Sequence, residues 1–318
     1  MGQVWAQTEA RLSLGSIAVV LNASSGHGAA QKVATRLEEI FRAAGREAHT
    51  TLARTGAELR TAIRDAVSEG CDTLVAGGGD GTINTAAAAV LGREITLGVL
   101  PLGTLNHFAK DLGIPLDLED ATRIILEGSW CRVDVGEVNG HVFLNNSSLG
   151  VYPAIVRLRE RYRATLRGKW IAAFWAALTV MRRNPFMGVR IHVEGQAMVR
   201  RTPLVLVANN EYRTTGIHAG TRESLTRGRL AVYLLNAERR PGLLGLALKV
   251  LAEGAERVEE LDLFTVEEIA VETRRRRLQV ALDGEVMSLE SPLQYRSRPA
   301  ALKVHVPAKT SACNPLSS

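Results

Sequence analysis

Cysteine is scarce. Cys71, Cys131 and Cys313 are the only three, and they form no CxxC pair. That spacing argues against a disulfide framework or a zinc site and suits a chain folded in a reducing cytoplasm. Long apolar runs are missing too. The longest, Trp170 to Met181, lies between Lys169 and Arg182 and has 12 residues, too few to span a bilayer as a helix. No apolar stretch follows a basic start in Met1 to Leu14, so no signal peptide is expected. No G-x-x-x-x-G-K-[ST] occurs, and Gly77-x-Gly79-x-Gly81 lacks the dinucleotide-binding G-x-G-x-x-G spacing. No internal repeat is visible. Neither sign of charge dominates: 39 Lys and Arg stand against 33 Asp and Glu. A net charge of +6 suits a nucleotide, an acidic lipid surface or nucleic acid without choosing among them.

What is present is enough apolar material for two cored domains, since 46% of the 318 residues are hydrophobic. The first half alternates strand-like and helix-like stretches. Ser16–Leu21 reads as a strand ending in Asn22–Gly28, and Gln31–Ala44 carries Val33, Leu37, Ile40 and Phe41 at helical spacing. A strand over Glu47–Leu52 and a helix over Ala57–Ser68 follow. Next comes the stretch that organises the rest: strand Asp72–Ala76, turn Gly77-Gly78-Gly79-Asp80-Gly81-Thr82, then an alanine-rich helix. Strand Ile95–Leu100 ends in Pro101–Asn106, where Thr104 or Asn106 would cap a helix, and Leu118–Gly128 adds another. This alternation predicts a parallel sheet with helices on both faces.

Three of the strands end in small-residue turns that open helices. In an open parallel sheet such turns gather at the carboxyl edge, where ligands bind. Glycines let backbone approach a phosphate, and the helix N-terminus favours one. Asp80 beside bound phosphates would repel them unless a metal lay between, so this loop predicts Mg²⁺ as well as a nucleotide.

From Arg132 the texture changes. Val133–Val138, Asn139-Gly140 and His141–Leu144 read as a hairpin. Further strands are expected over Met187–Val193, Leu204–Ala208, Leu230–Leu235, Leu261–Val266, Ile269–Glu272, Leu278–Leu282 and Leu302–Val306. Helices are expected near Leu166–Arg182 and Leu243–Gly254. The expectation is α/β plus β: a parallel three-layer α/β domain over 15–131, a mostly antiparallel β-sandwich over 132–306, and a disordered polar tail over 307–318.

Four motifs then appear in order: Asn-x-x-Ser-Gly (Asn22, Ser25, Gly26), Gly-Gly-Asp-Gly-Thr (Gly78–Thr82), Pro-Leu-Gly-Thr-x-Asn (Pro101–Asn106) and Asp-Gly-Glu (Asp283–Glu285). Together they resemble the diacylglycerol kinase catalytic-domain family, which includes soluble bacterial lipid kinases and sphingosine kinases. The likeness spans roughly residues 15 to 306. It implies an ATP-binding α/β domain, a β-sandwich domain and an active site in the cleft between them. The γ-phosphoryl of ATP would move to a hydroxyl of diacylglycerol or a related lipid. Asn22, Ser25, Gly26, Gly77, Gly78, Gly79, Asp80, Gly81, Thr82, Thr104 and Asn106 would contact ATP, with Thr51 as a looser match. Asp80 would hold Mg²⁺ or its waters. Glu285 would accept the hydroxyl proton, with Asp283 beside it for metal or water. The partner implied is a lipid at a membrane surface, with peripheral membrane contact, no nucleic acid, and a dimer left open.

The sequence departs from the family where many members read Gly-Thr-Gly-Asn-Asp. Here Leu105 and His107 interrupt that pattern. Arg227-Gly228-Arg229-Leu230 stands where some bacterial members place an Asp-Gly-Leu metal site, and an arginine cannot ligate Mg²⁺. Thr214-Thr215-Gly216 replaces a usual glycine pair after Asn209–Tyr212. Two other readings are a kinase of a soluble substrate such as NAD, and a nucleotide-binding regulator that lost catalysis. His27, His107 and His218 have no metal partner at ligand spacing. Arg157–Arg190 holds basic residues interleaved with Trp170, Phe174 and Trp175. It is either a buried helix with solvated flanks or a helix that docks on membrane, with Arg274–Arg277 as an added cationic loop.

Overall fold

The computed structural model describes residues 16–23, 29–151, 153, 186–193, 195–213, 221–222, 224–235, 261–310 and 312–313. Ser25, Gly26, His27, His218, Thr214–Gly216 and the two helices expected near Leu166–Arg182 and Leu243–Gly254 lie outside these residues. The chain divides into two compact units. One takes the chain up to Arg132 together with Leu302–Ser311, the other Val133–Ala301 with Ala312–Ser318.

The first unit runs β1 (Ile17–Asn22), α1 (Ala29–Ala43), β2 (Ala48–Ala53), α2 (Gly56–Ser68), β3 (Thr73–Gly78), α3 (Asp80–Val90), β4 (Thr96–Pro101), α4 (His107–Asp111) and α5 (Leu118–Glu127). The strands pair in parallel in the order β2-β1-β3-β4. Every residue of β3 and β4 is buried, as an apolar run covered on both faces must be. Helix α1 packs with α5 and α2 with α3, giving the three layers expected. Local chemistry sets the helix ends. Thr55 caps α2 by accepting from the Glu58 N–H at 3.2 Å, while Glu58 Oε2 reaches back to the Arg54 N–H at 2.8 Å. Asp117 accepts from the Glu119 and Asp120 amides at the start of α5, and Gly128 ends that helix in the left-handed region.

The second unit is built from most of β5 (Trp130–Val138), β6 (His141–Phe143), β7 (Asn146–Gly150), β8 (Met187–Val193), β9 (Gln196–Thr202), β10 (Leu204–Asn209), β11 (Leu230–Leu235), β12 (Leu261–Val266), β13 (Glu268–Thr273), β14 (Arg277–Leu282), β15 (Glu285–Glu290) and most of β16 (Leu293–His305). One sheet has the order β12-β11-β10-β7-β14-β15; β16, β13, β8 and β9 neighbour one another in the other. Val189, Ile191, Val271, Leu293 and Tyr295 of one sheet meet Leu149, Val205, Val207, Val232 and Val280 of the other in one buried cluster, the layering of a sandwich. The hairpins at Asn139-Gly140 and Asp283-Gly284 both place two residues at positive φ, as a two-residue type I′ turn requires.

Several expectations need correction. The strand expected over Leu302–Val306 is only the end of β16, and Val304 pairs in parallel with Leu97 of β4, so this segment completes the first unit instead of the second. Strands β7 and β9 were not foreseen. The chain beyond residue 306 is not a free tail where it is described. Thr310 Oγ1 donates to the Leu112 carbonyl at 3.0 Å, Ala312 is buried, and its carbonyl accepts from the Leu225 N–H at 3.0 Å. Cys131 and Cys313 are disulfide-bonded, against the expectation of free thiols; Cys71 alone is free, and burial pushes its thiol pKa up.

Candidate functional site

The chain leaves β1 toward β2 on one side and reaches β3 on the other, so the strand order reverses between β1 and β3. A crevice at the carboxyl ends of such strands is where open α/β sheets take ligands. Asn22 ends β1 there, and its Nδ2 donates to Thr82 Oγ1 in the first turn of α3 at 2.9 Å. The Pro101–Asn106 turn closes against the glycine turn from the other side. The Leu102 amide donates to the Gly78 carbonyl at 3.1 Å, and a Cβ on Gly103 would stand 2.4 Å from Gly79 Cα.

The glycines divide by role. A Cβ on Gly77 would fall 2.4 Å from Leu21 Cδ2, and one on Gly78 would fall 2.5 Å from Thr82 Oγ1. Both residues are buried, so packing alone accounts for them. Gly79 is different. Its φ of −86° and ψ of −178° are open to any residue, and a Cβ there would meet nothing nearer than Gly103 Cα at 3.6 Å. The fold has room for a Cβ at that position, so packing does not account for this glycine. Behind it, α3 begins with no side-chain cap, and the Asp80 and Gly81 amides have no backbone acceptor among the described residues.

Asp80 Oδ1 accepts from the Phe108 amide at the start of α4 at 3.3 Å. The second oxygen has no hydrogen-bond partner among the described residues. No group of three or more His, Cys, Asp or Glu able to hold a metal occurs among those residues. One half-used carboxylate fits Mg²⁺ of the kind held by a single carboxylate, substrate phosphates and water.

Asn106 is a brace. Its Oδ1 accepts from the Gly103 amide at 3.0 Å, and its Nδ2 donates to the Pro101 and Gly103 carbonyls at 3.1 and 3.0 Å. It is buried, adopts φ 52°, and caps α4 by position without a side-chain bond. Its amide is consumed in shaping the turn. Thr104, Leu105 and His107 are exposed on that turn. Thr51 pairs with Val20 two residues before β2 ends, and no hydrogen bond joins it to the three turns among the described residues.

In the second unit, Asp283 differs from expectation. Its Oδ1 accepts from the Asn145 and Asn146 amides at 2.8 and 3.0 Å, and its Oδ2 from the Leu144 amide at 2.8 Å. Both oxygens accept from backbone N–H groups, so this carboxylate anchors the turn. Glu285 follows at the start of β15, paired with Leu282. It is exposed, and its carboxylate has no hydrogen bond or ion pair among the described residues. The turn thus aims one carboxylate inward as an anchor and leaves the next free.

Residues that the sequence reading missed hold this corner in place. Arg222, 5% exposed, donates to the Leu144 and Asn209 carbonyls and to Asn145 Oδ1. Asn209 Nδ2 donates to the Asp134 and Leu144 carbonyls at 2.9 and 3.0 Å. Asn146 Nδ2 reaches Tyr212 Oη at 2.9 Å, and the Tyr212 amide donates to Tyr233 Oη at 3.0 Å. Asp134, 1% exposed, accepts from the Gly228 and Ala300 amides and from Asn210 Nδ2. Arg227 lies 3.6 Å from Glu211. In sequence Asp134 is a charge between two valines and Arg222 a charge in a polar stretch, and neither setting distinguishes a buried brace from a surface group.

Residues 16–138 match the diacylglycerol kinase catalytic domain, and residues 148–306 match the YegS C-terminal NAD kinase beta sandwich-like domain. A Pseudomonas aeruginosa protein named "Probable lipid kinase YegS-like" is 33% identical over 281 residues, covering 84% of this chain and 87% of its own. A Bacillus subtilis diacylglycerol kinase is 35% identical over 130 residues, 40% of this chain and 43% of its own. The crystal structure of a diacylglycerol kinase from Bacillus anthracis superposes with a TM-score of 0.67 at 19% identity, over 93% of this chain and 98% of that one, which shows the shared fold.

Proposed function

Because the chain belongs to the diacylglycerol kinase family of lipid kinases, we propose that it moves the γ-phosphoryl of ATP to the hydroxyl of diacylglycerol or a related lipid. The observation that carries this reading is the Asp283–Glu285 turn, where three amides lock one carboxylate and the next has no partner among the described residues. A plain hairpin needs no such lock.

Phosphoryl transfer asks for positioned phosphates, neutralised charge and a group to take the hydroxyl proton. The side-chain-free Gly79 and the Asp80 and Gly81 amides, which have no acceptor among the described residues, would supply the first. Asn22 and Thr82 hold the β1 and β3 edges together. Thr104, exposed on the adjoining turn, is placed to add a hydroxyl. Mg²⁺, when bound with the nucleotide, draws charge off the phosphate oxygens, and Asp80 is the residue that would hold it. Glu285 takes the proton of the lipid hydroxyl. Asp283 and Arg222 act through it as positioning residues.

The test is incubation with γ-labelled ATP and vesicles of extracted membrane lipid, the labelled product being identified by mass. A phosphorylated lipid from the native protein and none from Glu285→Gln is the expected result. Label passing to NAD instead, or ATP bound and never consumed, would reject the reading.

A further inference from the structure

Arginine accumulates at one end of the second unit. Register pairs Gly188 with Arg201, Val189 with Arg200 and Arg190 with Val199. On the other side of β8, Val189 pairs with Thr273 and Arg190 with Glu272. The turn that follows Thr273 carries Arg274, Arg275 and Arg276, and Arg277 opens β14. All seven arginines are exposed. Among the described residues two acids lie close by: Glu272, 3.4 Å from His192, and Glu290, ion-paired with Arg277 at 3.6 Å. Arg190, Arg200, Arg201, Arg274, Arg275 and Arg276 have no carboxylate partner among the described residues.

A solvated surface normally mixes both signs, whereas six unpaired cations in neighbouring rows make a field of one sign. Its complement is an extended anionic surface. Apolar groups stand among the arginines: Val199 is 66% exposed on β9, the edge strand, and the Phe186 ring lies under the Arg201 guanidinium at 5.5 Å. Phe186 is therefore no open platform for stacking a base, as single-stranded nucleic acid would need. An exposed valine beside a cluster of arginines matches the pairing of apolar contact and cationic charge that draws a protein to an anionic bilayer interface.

We propose that this end of the second unit, formed by the Thr273–Arg277 turn and the Arg190, Arg200 and Arg201 edge, docks on a bilayer rich in anionic headgroups. The proposal rests on the lipid-kinase reading for its purpose, since such an enzyme must meet a substrate dissolved in a membrane.

The test measures partition onto vesicles without ATP, so it fails or succeeds independently of catalysis. Vesicles of phosphatidylcholine alone and with added phosphatidylglycerol are the probes. The native protein should partition onto the anionic vesicles and lose that preference as salt rises. At about fivefold per arginine, the triple variant Arg274→Gln, Arg275→Gln, Arg276→Gln should bind about a hundredfold more weakly. The pair Arg190→Gln and Arg201→Gln is an independent second probe on β-strand positions. A charge-matched triple at Arg42, Arg60 and Arg93 should partition as the native protein does. Equal binding to both vesicle types, native-like binding by the turn triple, or equal loss in the charge-matched triple would each overturn the proposal. So would competition by homopolymeric RNA in a protein that ignores vesicles. Loss of transfer to a dispersed short-chain lipid would instead count against the catalytic reading.

Discussion

The Asp80 carboxylate and the Phe108 amide are hydrogen-bonded at 3.3 Å, so the acid of the glycine turn also holds the start of α4. Structural and catalytic duties of this residue are therefore separable by substitution. Asp80→Asn keeps an acceptor oxygen for Phe108 and should melt within a degree or two of the native protein. Asp80→Ala removes the acceptor and should cost about 1 kcal/mol. Phosphoryl transfer should be abolished in both. Native turnover by Asp80→Asn would show that the charge has no catalytic part.

Gly79 and Gly103 face each other across the two turns but should respond differently to alanine. At Gly103 the new Cβ collides with backbone, and the two turns must separate at a cost of about 1–3 kcal/mol. At Gly79 the fold has room and the backbone angles are permissive. Gly79→Ala should therefore unfold at the native denaturant concentration yet bind ATP weakly, as read by calorimetric titration. Native ATP affinity in Gly79→Ala would mean that phosphates do not approach this turn.

The neighbouring carboxylates Asp283 and Glu285 make the reverse pair. Asp283→Ala strands three amides and should lower the unfolding free energy by about 2–4 kcal/mol. Glu285→Gln, at an exposed position, should leave stability within about 0.5 kcal/mol while eliminating lipid phosphorylation. Urea titration and a turnover assay on the same preparations decide the matter. A destabilised Glu285→Gln or a fully active one would break the division of labour.

His305 makes the fold sensitive to acid. It is 1% exposed, with Nδ1 3.1 Å from the Ser129 carbonyl and Nε2 3.5 Å from Thr73 Oγ1. Burial lowers its pKa from 6.5 to about 4; the Ser129 carbonyl acts in the opposite direction, and Lys303 adds to the lowering. A histidine buried neutral binds fewer protons folded than unfolded. Its stabilising contribution is complete above pH 6.5 and is lost as pH falls from there toward 4, at up to about 1.4 kcal/mol per pH unit. The urea midpoint should fall across that window, and His305→Gln should flatten the fall. An unchanged slope in the variant would assign the acid sensitivity to other groups.

Much of the first unit was legible because its signals are local. Apolar runs bounded by glycine marked β1, β3 and β4, and the helical spacing of Val33, Leu37, Ile40 and Phe41 marked α1. Strand β9 escaped because an edge strand with Arg200 and Arg201 has no apolar alternation. Most of β16 escaped because Arg296, Arg298 and Pro299 interrupt its pattern. The glycine turn stands out in the sequence, but spacing could not separate Gly77 and Gly78, whose added Cβ would meet Leu21 and Thr82, from Gly79. Asp283 and Glu285 read alike as carboxylates. Only the three amides from Leu144, Asn145 and Asn146, brought from nearly half the chain away, show that one is an anchor.

The pairing of Val304 with Leu97 sets an order of events during synthesis. Chains emerge amino terminus first, so β1 to β4 leave the ribosome long before Val304 is made. Until then the outer rim of β4 offers unpaired amides and carbonyls, a template for foreign strands. The domain translated first must wait for residues made near the end of synthesis, and a fragment ending before Leu302 should aggregate for want of its closing strand.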